Sequence, residues 1–179
     1  GGLMIPLAFG ATEEVAQEQN EFASRQALSD PWCRPSMFIS PRMDPDYVRQ
    51  EARRLKVAGF KCYHTESPRR PTWDSDISEF LPEELVRIAG EEGLAITLHM
   101  VKARSVADPS NQYWIRKYCE KYLDMKLILA HAARSFNPRL AMEGMESLRG
   151  LQNLWCDTSA VTEVGAYEAI IDVLGHERL

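Results

Sequence analysis

The feature that most constrains this chain is a regular alternation of short apolar runs with longer amphipathic stretches. A short apolar run bounded by turn residues predicts a buried β-strand, and apolar residues at helical spacing predict an α-helix. The predicted strands are residues 3–9, 36–40, 60–64, 94–100, 126–131 and 153–159. The predicted helices that follow them are residues 12–28, 44–58, 82–93, 109–123, 137–151 and 163–174. The chain therefore predicts six strand–helix units.

Local signals at the helix ends support this pattern. Thr12 and Asp44 are typical N-cap residues, and Pro45 suits the first helical position after Asp44. Gly59 and Gly93 are expected to end their helices. A polar, proline-rich stretch at residues 65–76 is predicted to be a loop.

The apolar runs are continuous rather than alternating with polar residues, which indicates a parallel sheet that is buried on both faces. Strands that alternate with helices form such a sheet either as an open, doubly wound sheet or as a (β/α) barrel. No G-x-G-x-x-G or Walker loop follows any predicted strand, so the usual signature of a nucleotide-binding open sheet is missing. At 179 residues, the chain is expected to form one domain spanning residues 1–179.

Charge and composition narrow the classes of partner. A net charge of −5 offers no basic surface for nucleic acid, and no apolar run approaches the length of a membrane-spanning helix. The four cysteines are far apart and form no C-x-x-C pair, so reduced thiols are expected: Cys33, Cys62, Cys119 and Cys156. We therefore expect a cytoplasmic protein that binds a small-molecule substrate, with no nucleic-acid or membrane partner; a homo-oligomer is left open.

Histidines end three successive predicted strands: His64, His99 and His131. Because the carboxyl ends of parallel strands meet at the ligand site, these side chains are expected to converge there. A single histidine after a strand is more often structural, but three in succession favour a metal site or an acid–base site. Other candidates occupy the same strand ends as possible substrate contacts: Lys61, Arg42, Arg134 and Asp157.

Four segments carry a family resemblance, and His99, His131 and Asp157 lie in the first three: LAITLHM, KLILAHAAR, NLWCDTSA and LGHERL. Together they resemble the amidohydrolase superfamily, specifically its amidohydrolase-related (amidohydrolase 2) family of metal-dependent hydrolases and decarboxylases. The resemblance extends over nearly the whole chain and implies a distorted (β/α)8 TIM barrel. The six strands of this chain would then correspond to about strands two to seven of that barrel.

The resemblance also implies roles for individual residues. His99 matches the metal-coordinating histidine of barrel strand five, and His131 matches the acid–base histidine of strand six. Asp157 matches the DtS motif of strand seven, where capping of Ser159 or the next turn is as consistent as a substrate contact. Lys61 falls on strand four, where dinuclear members carry a carbamylated lysine; a cation for a substrate carboxylate is the favoured interpretation.

Two departures from the family pattern matter for the metal. The H-x-H pair of the family's first strand occurs nowhere in this sequence, and no GSD motif of the eighth strand is present. A catalytic zinc ion needs three protein ligands and one open position. We therefore expect a divalent metal, with zinc favoured, whose further ligands lie outside this segment. The chain is then expected to be a fragment that is inactive alone.

The leading interpretation is a metal-dependent enzyme that hydrolyses an amide, lactone or ester bond or decarboxylates a small carboxylated substrate. His131 would transfer protons, while Lys61, His64, Arg42 or Arg134 would orient the substrate. The alternative is an amidohydrolase-like barrel that has lost its metal site and has no catalytic activity. A third, more distant possibility is a (β/α) enzyme with a metal-free site built around the histidines.

Overall fold

The computed structural model of the protein describes residues 2–8 and 10–179. Within these residues, one sheet contains six strands, all parallel and hydrogen-bonded in chain order. The strands are β1 (Gly2–Met4), β2 (Cys33–Phe38), β3 (Gly59–Cys62), β4 (Ala95–Leu98), β5 (Lys126–Leu129) and β6 (Leu154–Cys156). A sheet with sequential parallel order is the arrangement of a (β/α) barrel, so the predicted partial barrel is confirmed.

Helices connect the strands as the alternation predicts. They are α1 (Glu13–Leu28), α2 (Pro45–Arg54), α3 (Ile77–Phe80), α4 (Glu83–Glu92), α5 (Pro109–Lys121), α6 (Pro138–Gly144) and α7 (Val164–Leu174). Single 3-10 turns lie at His64–Glu66, Thr72–Asp74, Ser105–Ala107, Met145–Leu148 and His176–Arg178. The predicted loop at 65–76 therefore contains local structure, and the helix predicted at 137–151 divides into α6 and a 3-10 turn.

The predicted helix starts are confirmed. The Thr12 hydroxyl accepts a hydrogen bond from the amide of Val15, and the Asp44 carboxylate accepts one from the amide of Tyr47 at 3.0 Å. Gly93 ends α4 in the left-handed conformation at φ +66°, which glycine adopts without a Cβ clash.

The end of the second helix was predicted wrongly. The second helix ends at Arg54 and does not reach Ala58, because the chain turns at Lys56 with φ +53° and then begins β3 at Gly59. Gly59 is needed there for close strand packing: a Cβ at this position would lie 2.8 Å from the carbonyl oxygen of Ala95.

Each of the six strands ends earlier than predicted. The first strand was predicted to span residues 3–9, but β1 ends at Met4 before Pro6, which has no amide hydrogen for a sheet bond; Phe9 lies outside the described residues. The strands predicted to end at residues 131 and 159 end at Leu129 and Cys156. Beyond these ends the Asp157 carboxylate accepts hydrogen bonds from the amides of His131 and Ser159, which replace the sheet pairing.

The two faces of the sheet differ in composition. Residues in register form one row across five strands: Phe38, Lys61, Thr97, Ile128 and Trp155. The alternate residues face the helices and belong to the main hydrophobic core, among them Phe60, Ile96, Leu98, Leu127, Leu129 and Leu154. Because side chains alternate along a strand, the row with Lys61 and Thr97 lines the barrel interior.

None of the helices in the described residues is long and apolar enough to cross a membrane. All four cysteines are free thiols, and three of them are buried. The expectation of reduced, unpaired cysteines agrees with this arrangement.

Candidate active site

His99 reaches the barrel interior by the regular alternation of its strand. Thr97 faces inward in register with Lys61, so His99, two residues further, faces the same side just beyond the end of β4. Its ring is partly buried. Burial, and next the nearby Lys61 charge, lower the pKa of His99 to about 4. His99 is therefore neutral near pH 7, which is the form in which imidazole binds a metal.

The Nδ1 atom of His99 is buried and has no hydrogen-bond partner in the described part of the chain. A buried polar nitrogen without a partner is costly, and most such atoms in folded proteins are satisfied. This nitrogen is therefore available to a ligand.

The structure brings the three predicted histidines into one row. The ring centroids of His64 and His99 are 6.0 Å apart, and those of His99 and His131 are 5.1 Å apart in an edge-to-face arrangement. His64 Nδ1 lies 3.1 Å from the Thr72 hydroxyl, and burial lowers the pKa of His64 below its ordinary value. Convergence at the carboxyl ends of the strands thus agrees with the expectation from sequence.

His131 reaches this row by an unusual backbone. Leu127 and Leu129 face the helical side, so simple alternation would also direct residue 131 away from the interior. Instead, residues 131–134 all adopt left-handed angles, with φ of 58°, 47°, 57° and 55°. Each such non-glycine residue costs roughly 1–2 kcal/mol. The sequence contains no glycine here to indicate the turn.

Hydrogen bonds from neighbouring segments hold this left-handed turn. The amide of Ala132 donates to the carbonyl of Asp157 at 2.7 Å, and the amide of His131 donates to Asp157 Oδ1 at 2.8 Å. The fully buried Ser105 hydroxyl donates to the carbonyl of Ala133 at 2.8 Å. Ser105 was not identified from the sequence, where it is one serine in a polar loop.

Asp157 and Ser159 complete the contacts of His131. Asp157 Oδ1 accepts from the Ser159 amide at 3.0 Å and from its hydroxyl at 2.5 Å, while Ser159 Oγ lies 2.9 Å from His131 Nδ1. Asp157 Oδ1 therefore caps Ser159, as one of the two interpretations from the sequence expected. A substrate contact by Asp157 stays a prediction.

Lys61 is buried inside the barrel with 5% of its surface exposed. Its ammonium lies 4.9 Å from the ring centroid of Tyr63, and no hydrogen bond or ion pair joins it to another described residue. Burial lowers the pKa of Lys61 below its ordinary value. The Asp157 carboxylate acts on Lys61 from a distance but forms no ion pair with it, and a buried cation without a direct partner is unfavourable, so this position favours an anionic ligand.

Arg134 borders the site through aromatic contacts. Its guanidinium carbon lies 4.0 Å from the ring centroid of Trp73 and 6.0 Å from that of Phe136. Trp73 also meets His64 edge-on at 5.2 Å. Trp73 was not identified from the sequence because it lies in the polar loop and far in the chain from Arg134.

Arg42 has a partner of its own. Its guanidinium donates to the carboxylate of Glu66, whose side chain is only 3% exposed and also accepts from the amide of Gly10 at 2.8 Å. No hydrogen bond joins Arg42 to a histidine in the described residues. Binding of substrate by Arg42 stays a prediction.

The described residues do not complete a metal site. No group of three His, Cys, Asp or Glu side chains among them is placed to hold an ion. The unpartnered nitrogen of His99 suits one metal ligand, but a zinc site needs at least three protein ligands. The donor set of this chain is therefore incomplete.

The sequence profile of the amidohydrolase family matches residues 4–179, almost the entire chain. The chain belongs to the amidohydrolase family. This agrees with the resemblance of the strand-end motifs. No curated protein matches the chain.

Solved structures similar to this chain share its fold at low sequence identity. A 5-carboxyvanillate decarboxylase from Sphingomonas paucimobilis is 17% identical, with a TM-score of 0.59, over 92% of this chain and 60% of that one. A Pseudomonas putida protein assigned as a 2-pyrone-4,6-dicarboxylic acid hydrolase is 20% identical, with a TM-score of 0.59, over 89% and 60%. An uncharacterised TIM-barrel protein from Bordetella bronchiseptica is 14% identical, with a TM-score of 0.50, over 88% and 52%.

These structures confirm the partial TIM barrel. This chain spans about 60% of the length of the first two.

Proposed function

We propose that this amidohydrolase acts on a small carboxylated substrate, either by hydrolysing an amide, lactone or ester bond or by decarboxylation, with the help of a divalent metal. The observation that carries the proposal is the row of His64, His99 and His131 at the carboxyl ends of the parallel strands. This is the edge at which (β/α) barrels hold their catalytic groups.

The carboxylated substrate is supported by Lys61. Its buried ammonium forms no ion pair with a described residue, and the Asp157 carboxylate only partly offsets its burial, so a substrate carboxylate would supply a direct partner. Two similar structures are described as acting on carboxylated ring compounds, a carboxyvanillate and a pyrone dicarboxylic acid. At identities of 17% and 20% these two structures show the fold, and the substrate class is proposed from them together with Lys61.

The metal is supported by the unpartnered nitrogen of His99, which we propose as one ligand. Since no set of three ligating side chains exists in the described residues, we propose that the other ligands belong to strands outside these 179 residues, in a longer protein. A bound divalent ion, with zinc favoured, would polarise a carbonyl or lower the pKa of water.

His131 is proposed to transfer the proton. Its Nδ1 is held by Ser159, so Nε2 is the nitrogen available to accept or donate a proton at the substrate. Lys61 would hold the substrate carboxylate, and Trp73 with Arg134 would cover that side of the site. Hydrolysis and decarboxylation could both use a substrate fixed through its carboxylate beside one proton-transfer group.

A second candidate is a barrel without catalytic activity, and the incomplete donor set favours it. The experiment that separates the two measures metal content and turnover of the full-length protein on carboxylated aromatics, lactones and amides. The proposal predicts about one equivalent of metal, lowered by His99→Ala, and turnover that His131→Gln removes while the metal stays bound. His176→Gln, which changes the exposed histidine near Leu179, is the matched control and should leave both unchanged.

Lys61→Met tests the substrate class. Loss of a charge-assisted contact should raise KM for a carboxylated substrate about 10- to 100-fold. Absence of bound metal together with absence of turnover would reject the enzyme in favour of the second candidate. An unchanged KM would reject the role of Lys61 alone.

A further inference from the structure

Ser159 is joined to both Asp157 and His131 by hydrogen bonds, and the direction of each bond can be assigned. A carboxylate only accepts hydrogen bonds, so the Ser159 hydroxyl must give its single hydrogen to Asp157 Oδ1, 2.5 Å away. The same hydroxyl oxygen lies 2.9 Å from His131 Nδ1 and has only lone pairs left to offer it. The hydrogen between Ser159 and His131 must therefore come from the imidazole.

A second acceptor supports the same assignment. The carbonyl oxygen of Ser159 lies 3.3 Å from His131 Nδ1, and a carbonyl cannot donate a hydrogen. Both atoms of Ser159 that face this nitrogen are thus acceptors. In the neutral ring only one nitrogen carries hydrogen, so Nε2 must carry the lone pair.

From this geometry we infer that Ser159 is a positioning residue that sets the tautomer of His131. With Asp157 as its anchor, Ser159 holds the neutral ring with hydrogen on Nδ1 and leaves Nε2, on the edge turned away from Ser159, as the basic nitrogen. No hydrogen bond among the described residues uses Nε2. The inference deepens the proposed function, because it rests on His131 as the group that transfers the proton, and it names the residue that prepares it.

The backbone contributes to the same result. Asp157 Oδ1 also accepts from the His131 amide at 2.8 Å, so one carboxylate oxygen holds the left-handed turn and the serine that meets the ring. The turn sets where the ring lies, and the serine sets which nitrogen is protonated. A histidine-to-acceptor contact of this kind is a common way to fix an imidazole tautomer.

The test is nitrogen NMR of the protein labelled with ¹⁵N in its histidine rings, at a pH high enough that the rings are neutral. His131→Gln identifies the His131 signals. The wild type should show hydrogen on Nδ1 and none on Nε2. Ser159→Ala should lower the ratio of Nδ1–H to Nε2–H by roughly tenfold, the effect of one ordinary hydrogen bond, whereas Ser159→Thr keeps the hydroxyl and should restore the wild-type ratio.

Thr158→Ala is the matched control, because its side chain lies in the same loop and has no hydrogen bond to a described residue. It should leave the ratio unchanged. A wild-type His131 with hydrogen on Nε2 would overturn the inference before any variant is made, and so would an unaltered ratio in a folded Ser159→Ala. These NMR results do not depend on turnover. Absence of metal and activity would reject the proposed function, and the tautomer assignment would still be tested by the NMR ratio alone.

Discussion

The segments LAITLHM and KLILAHAAR look alike in sequence, since each is an apolar run followed by a histidine, but they deliver that histidine in different ways. His99 lies two residues beyond the inward-facing Thr97 and points inward by ordinary strand alternation. His131 has the wrong phase for the interior and reaches it through four left-handed residues. A similar pattern thus places His99 through its own strand and His131 through contacts with distant segments. His131 should therefore be easier to displace.

Replacing an alanine with glycine should destabilise the protein less where the backbone is strained than where it is relaxed. Ala132 and Ala89 are both fully buried in the main core, but Ala132 has φ +47° and Ala89 lies in helix α4. Ala89→Gly should cost about 2 kcal/mol, from the lost methyl group and poorer helix propensity. Ala132→Gly loses the same methyl group but relieves strain and should be nearly neutral. Urea unfolding of both variants measures the difference, and equal losses would contradict strain at the turn.

Removal of the Ser105 hydroxyl should loosen the turn at His131 and leave His99 in place. Ser105→Ala deprives the Ala133 carbonyl of its buried donor and should lower the free energy of unfolding by about 1.5 kcal/mol. Ser75 is equally buried, but its hydroxyl has no partner in the described residues, so Ser75→Ala is the matched control and should not destabilise the protein. Thermal unfolding compares the two, and a similar loss in both would show that burial, rather than the bond to the turn, is responsible.

The smallest expected effect concerns His99 and pH. Burial lowers its pKa to about 4, below the ordinary value near 6.5, so between these values the unfolded chain binds a proton that the folded chain does not. Stability should therefore decrease as pH falls from about 6.5 to about 4. The change is modest because the ring is partly solvated. Urea midpoints measured across this range should show a shallower decrease in His99→Gln, and identical pH profiles would contradict the buried environment of the ring.

Much of the fold could be predicted from the sequence because its causes are local. The apolar runs form parallel strands in the predicted order, and the caps at Thr12 and Asp44 begin their helices where expected. The convergence of three histidines also followed, since parallel strands bring their carboxyl ends to one edge. Ends of elements were less predictable: the sequence near Leu55 has helical character, but the chain turns at Lys56 to enter β3.

The rest of the site depends on contacts between distant segments. Trp73 stacks on Arg134 from a loop about sixty residues earlier, and the carboxylate that binds Arg42 comes from Glu66 rather than from a substrate. Neither pairing has a local sequence signal, because both join side chains from separate loops. Ser105 is similar, because its hydroxyl donates to the carbonyl of Ala133, which is 28 residues away in the chain.

The sequence by itself determined the six strand–helix units, the parallel sheet and the end of the sheet at which the functional side chains gather, because periodicity and chain direction are properties of the chain alone. The tertiary structure decided how His131 enters that site. Alanine and arginine rarely adopt left-handed angles. The turn is held by the Ser105 hydroxyl, which donates to the carbonyl of Ala133, and by the Asp157 carboxylate, which accepts from the amide of His131, and the fold brings both side chains close.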